Sequence, residues 1–262
     1  MGVALPRERV VRYRLGLRVW ADPSDIVERP AWLFGTYEPD VADIFERTLR
    51  TGDVALDIGA HAGLHTVVLA AMVGVTGRVV AFEPNPRSVR RLRRNIELNG
   101  FGDSVLIWEI AASDAEGVGT LHLSDDQANS GGASLGGQRV PTSSIDVQRR
   151  RIDACVPADL ASRVRVAKID VEGHEPAVLA GATGVLSAQP AVVFEHNTLA
   201  VPAALRADGY RIYGPLRLNE PLVEVDAAND CQPPLPGAGV NMVAVVPGSV
   251  AAIRLGLSTA SH

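Results

Sequence analysis

VALDIGAHAGLHTVVLAAMV, residues 54–73, passes from a β-branched apolar run through a glycine-bearing turn into a helical pattern. VALDI (54–58) reads as a buried strand and GLHTVVLAAMV (63–73) as a helix. The turn between them has the spacing D-x-G-x-x-x-G, in which Gly59 and Gly63 let the backbone turn tightly and approach a ligand. The same rhythm continues downstream. RVVAFE (78–83) is a second strand, PRSVRRLRRNIELNG (86–100) a helix closing on Asn-Gly, and SVLIWEIAA (104–112) a third strand. RVRVAKID (163–170) and AVVFEHN (191–197) are later strands separated by a helix from about His174, and VNMVAVV (240–246) closes the series. Strands alternating with crossover helices imply an α/β fold with a doubly wound, mostly parallel sheet. Its ligands belong beyond the carboxyl ends of the strands.

Residues 1–50 lack this rhythm and are expected to form an N-terminal cap that includes FGTYEPD (34–40). The main domain is expected over 51–248, with a frayed tail over 249–262. The polar, Gly- and Ser-rich stretch 125–144 has no periodicity and reads as a plain loop or an active-site lid. With 262 residues and 21% charged residues the chain suits one large globular domain, and a net charge of −5 argues against a general nucleic-acid or anionic-membrane surface. The basic runs RSVRRLRRN (87–95) and QRRR (148–151) read as one solvated helix face and one loop. Two cysteines, Cys155 and Cys231, suit a reducing compartment. No apolar run is long enough to span a bilayer and the first twenty residues show no signal-peptide pattern, so a cytoplasmic protein is expected, of bacterial type from its arginine-rich composition.

Asp57 makes the first chemical decision. A dinucleotide fingerprint wants G-x-G-x-x-G, and His61 stands at the middle glycine position. An acid at this strand end suits a ligand carrying an amino group and a sulfonium, such as S-adenosylmethionine. Glu83 ends the second strand in AFEPNP (81–86), where an acid accepts both ribose hydroxyls. Pro84 and Pro86 fix the exit into the next helix. IAASD (110–114) offers small residues to flank an adenine ring, with Ser113 or Asp114 facing its amino group.

DIGAHAG, AFEPNP, N-x-E-L-N-G (95–100), KIDVEGHE (168–175) and FEH (194–196), in that order, resemble the FkbM family of S-adenosylmethionine-dependent methyltransferases over roughly residues 34–200. The resemblance implies a Rossmann-like class I methyltransferase fold and transfer mostly to hydroxyl oxygens, often of sugars or natural products. It also implies that the cofactor is held by Asp57, Gly59, Ala60, His61, Gly63, Glu83, Pro84, Asn85, Ser113 and Asp170. His61 departs from the asparagine usual in the family, yet keeps a polar side chain beside the cofactor.

KIDVEGHE contains Lys168, the single lysine among 25 Lys and Arg residues. Methyl transfer to an alcohol is an in-line displacement in which alignment supplies roughly 7–11 kcal/mol. A general base adds about 10²–10⁴-fold. His174 is the expected base by its near-neutral pKa. Asp170 is the expected anchor at the strand end, and Lys168, on the same strand face by alternation, supports it or acts as a base itself. His196 is a further candidate base. Asp170, Glu195 and Asn197 form the alternative of a divalent-cation site, with Mg²⁺ orienting a diol. His61 and His65 at i,i+4 make a weak zinc pair without a third ligand, and Glu175 is expected to serve the following helix N-terminus.

The leading reading is an S-adenosylmethionine-dependent O-methyltransferase acting on a small-molecule or oligosaccharide acceptor, with neither nucleic acid nor membrane as partner. The competing readings are an NAD(P)-dependent oxidoreductase on the same topology and a non-catalytic cofactor-binding protein. Homo-oligomerisation is left open, the cap and the 125–144 stretch being candidate interfaces.

Overall fold

The structure, a computed structural model, describes residues 8–123, 143–225 and 240–257. Its centre is a seven-stranded sheet whose strands are numbered here β1 (Val54–Ile58), β2 (Arg78–Phe82), β3 (Val105–Trp108), β4 (Val164–Ile169), β5 (Ala191–His196), β6 (Arg211–Tyr213) and β7 (Val240–Val245). Their spatial order is β6-β7-β5-β4-β1-β2-β3. The five strands from β5 to β3 are parallel, and β7 runs antiparallel between β5 and β6. This is the Rossmann-like class I methyltransferase arrangement expected above. The strand order reverses between β1 and β4, where a ligand crevice is expected.

The helices used below are α1 (Pro39–Thr48), α2 (Leu64–Val73), α3 (Pro86–Leu98), α4 (Glu175–Ala180), α5 (Ala200–Ala207) and α6 (Val250–Arg254). One apolar cluster joins one face of the sheet to α1, α2, α3 and α6, and a second joins the opposite face to α4 and α5. Both faces are therefore covered, which is why the strands read as continuous β-branched runs rather than as alternating ones.

Four details differ from the sequence reading. The third strand stops at Trp108, and Ala111–Ala112 instead joins a separate three-stranded sheet with Gly117–Leu123 and Ser143–Arg150. Ser143 and Ser144, assigned above to the polar stretch, are therefore strand residues, while 124–142 lies outside the described residues. Strict alternation also fails in β4. Val54 pairs with Val164 but Ala55 with Val166, so a bulge at Arg165 turns Val164 to the face of Ala167 and Ile169. Finally, 249–257 is not frayed. Ser249 caps α6 by accepting from Ala252 N, and Arg254 reaches Thr48 O and the Asp53 carboxylate.

The cap contains an antiparallel pair, Arg9–Arg12 with Arg18–Ala21, a short helix Arg29–Phe34, and α1. The arginines of α3 attach it rather than face only solvent. Arg91 pairs with Glu28 at 2.6 Å and Arg94 stacks over Trp20 at 3.3 Å. Asn95 of the N-x-E-L-N-G segment is fully buried, accepting from Trp20 N at 2.8 Å and donating to Ala62 O at 2.9 Å. It thereby ties the cap to the Gly59–Gly63 turn.

Candidate active site

The turn after β1 is built by three left-handed residues, Gly59 (φ 87°), His61 (φ 48°) and Gly63 (φ 83°). A Cβ on Gly59 would sit 1.8 Å from Asp170 O, because the end of β4 closes directly on the turn. Gly63 serves packing instead, its added Cβ falling 2.6 Å from Leu92 Cδ1 of α3. Gly59 N and Ala60 N donate to Phe82 O, so the turn is also fastened to the end of β2.

A cavity opens over these strand ends. Asp57, Gly59, Ala60, His61, Glu83 and Pro84 line it, with Lys168, Asp170 and His174 on the β4 side. Gly63, Asn85, Ser113, Glu195 and Asn197 are not among the lining residues. Asn85 caps α3 by accepting from Arg87 N at 3.0 Å. Ser113 stands behind the wall, its Oγ 3.0 Å from His174 Nε2.

Two buried carboxylates stand on the β1 and β2 side of the cavity. Each Glu83 oxygen accepts one backbone N–H at 2.8 Å, Oε2 from His61 and Oε1 from Asn85. Burial raises its carboxyl to about 7 in spite of these bonds. Asp57 is 1% exposed, and its Oδ2 accepts from Thr66 Oγ1 at 2.5 Å. Asp57 Oδ1 is buried without a hydrogen-bond partner. A buried carboxylate oxygen left unpaired is costly, so its position on a cavity wall marks the seat of a donor from a ligand. An amino group fits Asp57 and a diol fits Glu83, as S-adenosylmethionine requires.

One polar row crosses four adjacent strands at the carboxyl edge. Ala55, Val166, Val193 and Val243 belong to the same apolar cluster, and Asp57, Lys168, Glu195 and Asn241 each lie one pleat nearer the cavity. The register pairs Asp57 with Lys168, Val193 with Lys168, and Glu195 with Asn241. Lys168 is buried, and its Nζ meets Asp170 Oδ2 at 2.9 Å. Burial works against its charge, yet Asp170, Asp57 and Glu38 together push its pKa up. An ammonium held this way keeps its proton and does not serve as a base, which corrects one of the two roles expected of Lys168.

His174 occupies the N-cap position of α4, and burial lowers its pKa, as does Arg149, while Asp114 opposes. Glu175 is buried, and its Oε1 accepts from Val171 N and Gly173 N, folding the Val171–His174 turn. His196 is buried on β5. Glu195 Oε2 accepts from Asn197 Nδ2 at 2.7 Å.

The expected cation site does not assemble well. Asp170 is already neutralised by Lys168, Asn197 turns its amide hydrogens to Glu195, and among the described residues no three His, Cys, Asp or Glu side chains gather to hold a metal. The His61–His65 pair fails likewise, because His65 Nε2 is bonded to Glu38 Oε2 at 2.7 Å.

Tyr37, Glu38 and Asn241 were not legible as site residues in the sequence. Tyr37 lines the cavity. Glu38 binds His65 through one oxygen and Asn241 Nδ2, at 3.1 Å, through the other. Burial opposes its charge, but His65, Lys168 and Asn241 take the carboxyl down to about 2. Only the Tyr-Glu-Pro turn in FGTYEPD hinted at a special backbone, and Glu38 indeed has φ 38°.

The profile of the Methyltransferase FkbM domain matches residues 57–212. The chain belongs to the FkbM methyltransferase family. The hexuronic acid methyltransferase AglP of Haloferax volcanii is 30% identical over 159 residues, covering 60% of this chain and 62% of that protein. This chain thus spans less than two thirds of the curated relative it matches. Among solved structures, the S-adenosylmethionine-dependent O-methyltransferase of Thermotoga maritima aligns over 92% of this chain and 78% of its own, at 16% identity and a TM-score of 0.47. Methyltransferase FkbM of Methylobacillus flagellatus aligns over 78% of this chain and 50% of its own, at 15% identity and a TM-score of 0.46. Among the described residues no helix is long and apolar enough to cross a membrane.

Proposed function

We propose that this FkbM methyltransferase uses S-adenosylmethionine to methylate a hydroxyl of a saccharide or glycosylated metabolite. The observation that carries the cofactor is the unpartnered Asp57 Oδ1 on the same cavity wall as the backbone-held Glu83 carboxylate. Asp57 takes the amino group, Glu83 the ribose hydroxyls, and Ala111 and Ala112 flank the adenine ring with Ser113 behind them. When bound, S-adenosylmethionine supplies an electrophilic methyl group on a sulfonium. The protein supplies position, exclusion of water by the buried strand ends, and a proton acceptor.

Membership of a methyltransferase family favours methyl transfer over the hydride chemistry of an oxidoreductase. The sugar acceptor is supported by the name of the Haloferax volcanii relative, a hexuronic acid methyltransferase. His174, the base expected from sequence, lines the cavity with a burial-lowered pKa, but its Nε2 is engaged by Ser113 on the adenine side. No step is assigned to a metal. Calorimetry should give micromolar binding of S-adenosylhomocysteine, and mass spectrometry with labelled cofactor should find methylated product on a glycoside panel. Failure of both S-adenosylmethionine and S-adenosylhomocysteine to bind would refute the reading.

A further inference from the structure

This inference rests on the cofactor orientation proposed above. Ribose at the end of β2 and adenine beside the residues after β3 occupy one side of β1. The methyl group then points to the other side, over β4, and the acceptor belongs beyond it, over β4, β5 and β7. Glu195 and Asn241 lie on this sheet face just beyond the lined cavity, on β5 and β7, and Glu195 acts electrostatically on both Tyr37 and Asp170. Tyr37 reaches the same region from the cap, lining the cavity together with Lys168 and Asp170.

We infer that Tyr37 and Glu195 form the acceptor subsite, Tyr37 donating its phenolic hydrogen to an oxygen of a neutral sugar and Glu195 receiving the proton of the hydroxyl that is methylated. Several observations converge on Tyr37. Its neighbour Glu38 is in the left-handed region at φ 38°, a strained backbone for a non-glycine residue. That strain is held by both carboxylate oxygens, on His65 and Asn241, and by Pro39 opening α1. The Tyr37 ring rests on His65, with centroids 5.2 Å apart. The whole arrangement fixes Tyr37 on the cavity wall. Burial, with the charges of Glu38, Asp170 and Glu195, raises its pKa well above the ordinary value, so it remains a donor.

Glu195 is oriented by Asn197 on Oε2, which leaves Oε1 for a ligand. Burial raises its pKa, as do the nearby carboxylates Asp170, Glu175 and Glu38, with Asn197 opposing. A carboxylate so placed is a stronger base than one in water. In the step itself, the acceptor oxygen forms a bond to the methyl carbon as the carbon–sulfur bond breaks. The bonding pair stays on sulfur, and the hydroxyl proton passes to Glu195. Asp170 is neutralised by Lys168, and Glu38 is bonded through both oxygens to His65 and Asn241, so the charge that faces the acceptor is that of Glu195. That carboxylate accepts from a hydroxyl and repels an acceptor that is itself anionic.

The test uses the full chain with saturating S-adenosylhomocysteine and saturation-transfer NMR. The probes are methyl glycosides of glucose, galactose, mannose, rhamnose and glucuronic acid. At least one neutral glycoside should bind more tightly than the glucuronide. Tyr37→Phe should weaken that binding about tenfold while leaving S-adenosylhomocysteine affinity, the control for folding, unchanged. In turnover of the bound glycoside, Glu195→Gln should lower kcat by about 100-fold with little change in KM. The proposal is overturned if no neutral glycoside binds, if the glucuronide binds best, if Tyr37→Phe binds like wild type, or if Glu195→Gln turns over normally. Loss of S-adenosylhomocysteine binding by the wild type would instead refute the cofactor reading beneath it.

Discussion

Lys168 Nζ lies 2.9 Å from Asp170 Oδ2, with the carboxylates of Asp57 and Glu38 also acting on the same buried ammonium. The single lysine of the chain therefore neutralises a group of acids gathered from β1, β4 and the cap. A compact ammonium fits between strand ends where a planar guanidinium does not.

Replacing Lys168 with methionine keeps the stem and removes the charge, leaving Asp57, Asp170 and Glu38 facing one another. Breaking a buried pair from one side costs about 3–5 kcal/mol. Urea denaturation should show a loss of that order. Lys168→Met/Asp170→Asn should recover part of it, since one of the orphaned charges is gone. Equal stability of the single and double variants would show that the two residues are not coupled.

Gly59→Ala tests the closure of β4 on the Gly59–Gly63 turn. Its Cβ would fall 1.8 Å from Asp170 O at φ 87°, and a backbone atom cannot move aside as a side-chain end can. Overpacking and left-handed strain together predict a loss of about 3 kcal/mol or more. Gly100 has φ 71° and nothing within 4 Å of an added Cβ, so Gly100→Ala should cost only the strain, about 1–2 kcal/mol. A chemical-denaturation comparison of the two separates conformational strain from collision.

The contrast between these glycines also shows what was legible beforehand. The strand–turn–helix rhythm identified β1, β2, β4 and β5, because strands buried on both faces of a parallel sheet read as continuous β-branched runs, and β7 carries the same apolar run although it is antiparallel. Asp57 and Glu83 were readable because each ends a strand in a recognisable motif. Tyr37 and Glu38 were not, because their role comes from contacts with His65 and Asn241, 27 and 203 positions away, on which local pattern carries no information. The bulge at Arg165 was equally invisible, since alternation alone gives every second residue the same face. The arginines of α3 looked solvated for the same reason, their partners Glu28 and Trp20 lying in a segment without periodicity.

The contribution of Glu83 to the stability of the ligand-free protein should fall as pH rises from about 4.5 to about 7, against the rise from His61, whose pKa burial lowers to about 4. Burial raises the Glu83 carboxyl from an ordinary 4.5 to about 7, and Glu28 shifts likewise. A raised folded-state pKa contributes stability that is complete below the unfolded value and lost as pH rises through the folded one. The displacement of Glu83 corresponds to something on the order of 3 kcal/mol. Glu38 acts in the opposite sense. Its carboxyl is lowered to about 2, so its contribution is present above 4.5 and lost as pH falls towards 2. Glu28, Glu195, His61 and His174 shift in both proteins, so the test is the difference: the urea midpoint of the wild type minus that of Glu83→Gln should fall from pH 4.5 to 7. An identical slope in both proteins would contradict the assignment.

Asp57→Asn isolates the orphaned oxygen. The amide keeps a carbonyl oxygen to accept from Thr66 Oγ1, so the strand end and its bond at 2.5 Å have a partner of the same shape. What changes is the atom facing the cavity, now an amide donor without charge in place of an unpartnered carboxylate oxygen. The repulsion of Asp57 on the buried Glu83 is relieved while its attraction for Lys168 is lost, so the ligand-free protein should keep a stability near that of the wild type in urea denaturation. Cofactor binding should move the other way. A hydrogen bond to a charged partner is worth about 1.5–3 kcal/mol, which corresponds to a loss of roughly ten- to a hundredfold in affinity for S-adenosylmethionine by calorimetry. The combination of retained stability and weakened binding is the signature of a ligand contact. A variant that binds the cofactor as tightly as the wild type would show that the amino group is held elsewhere, and that Asp57 serves only to balance Lys168.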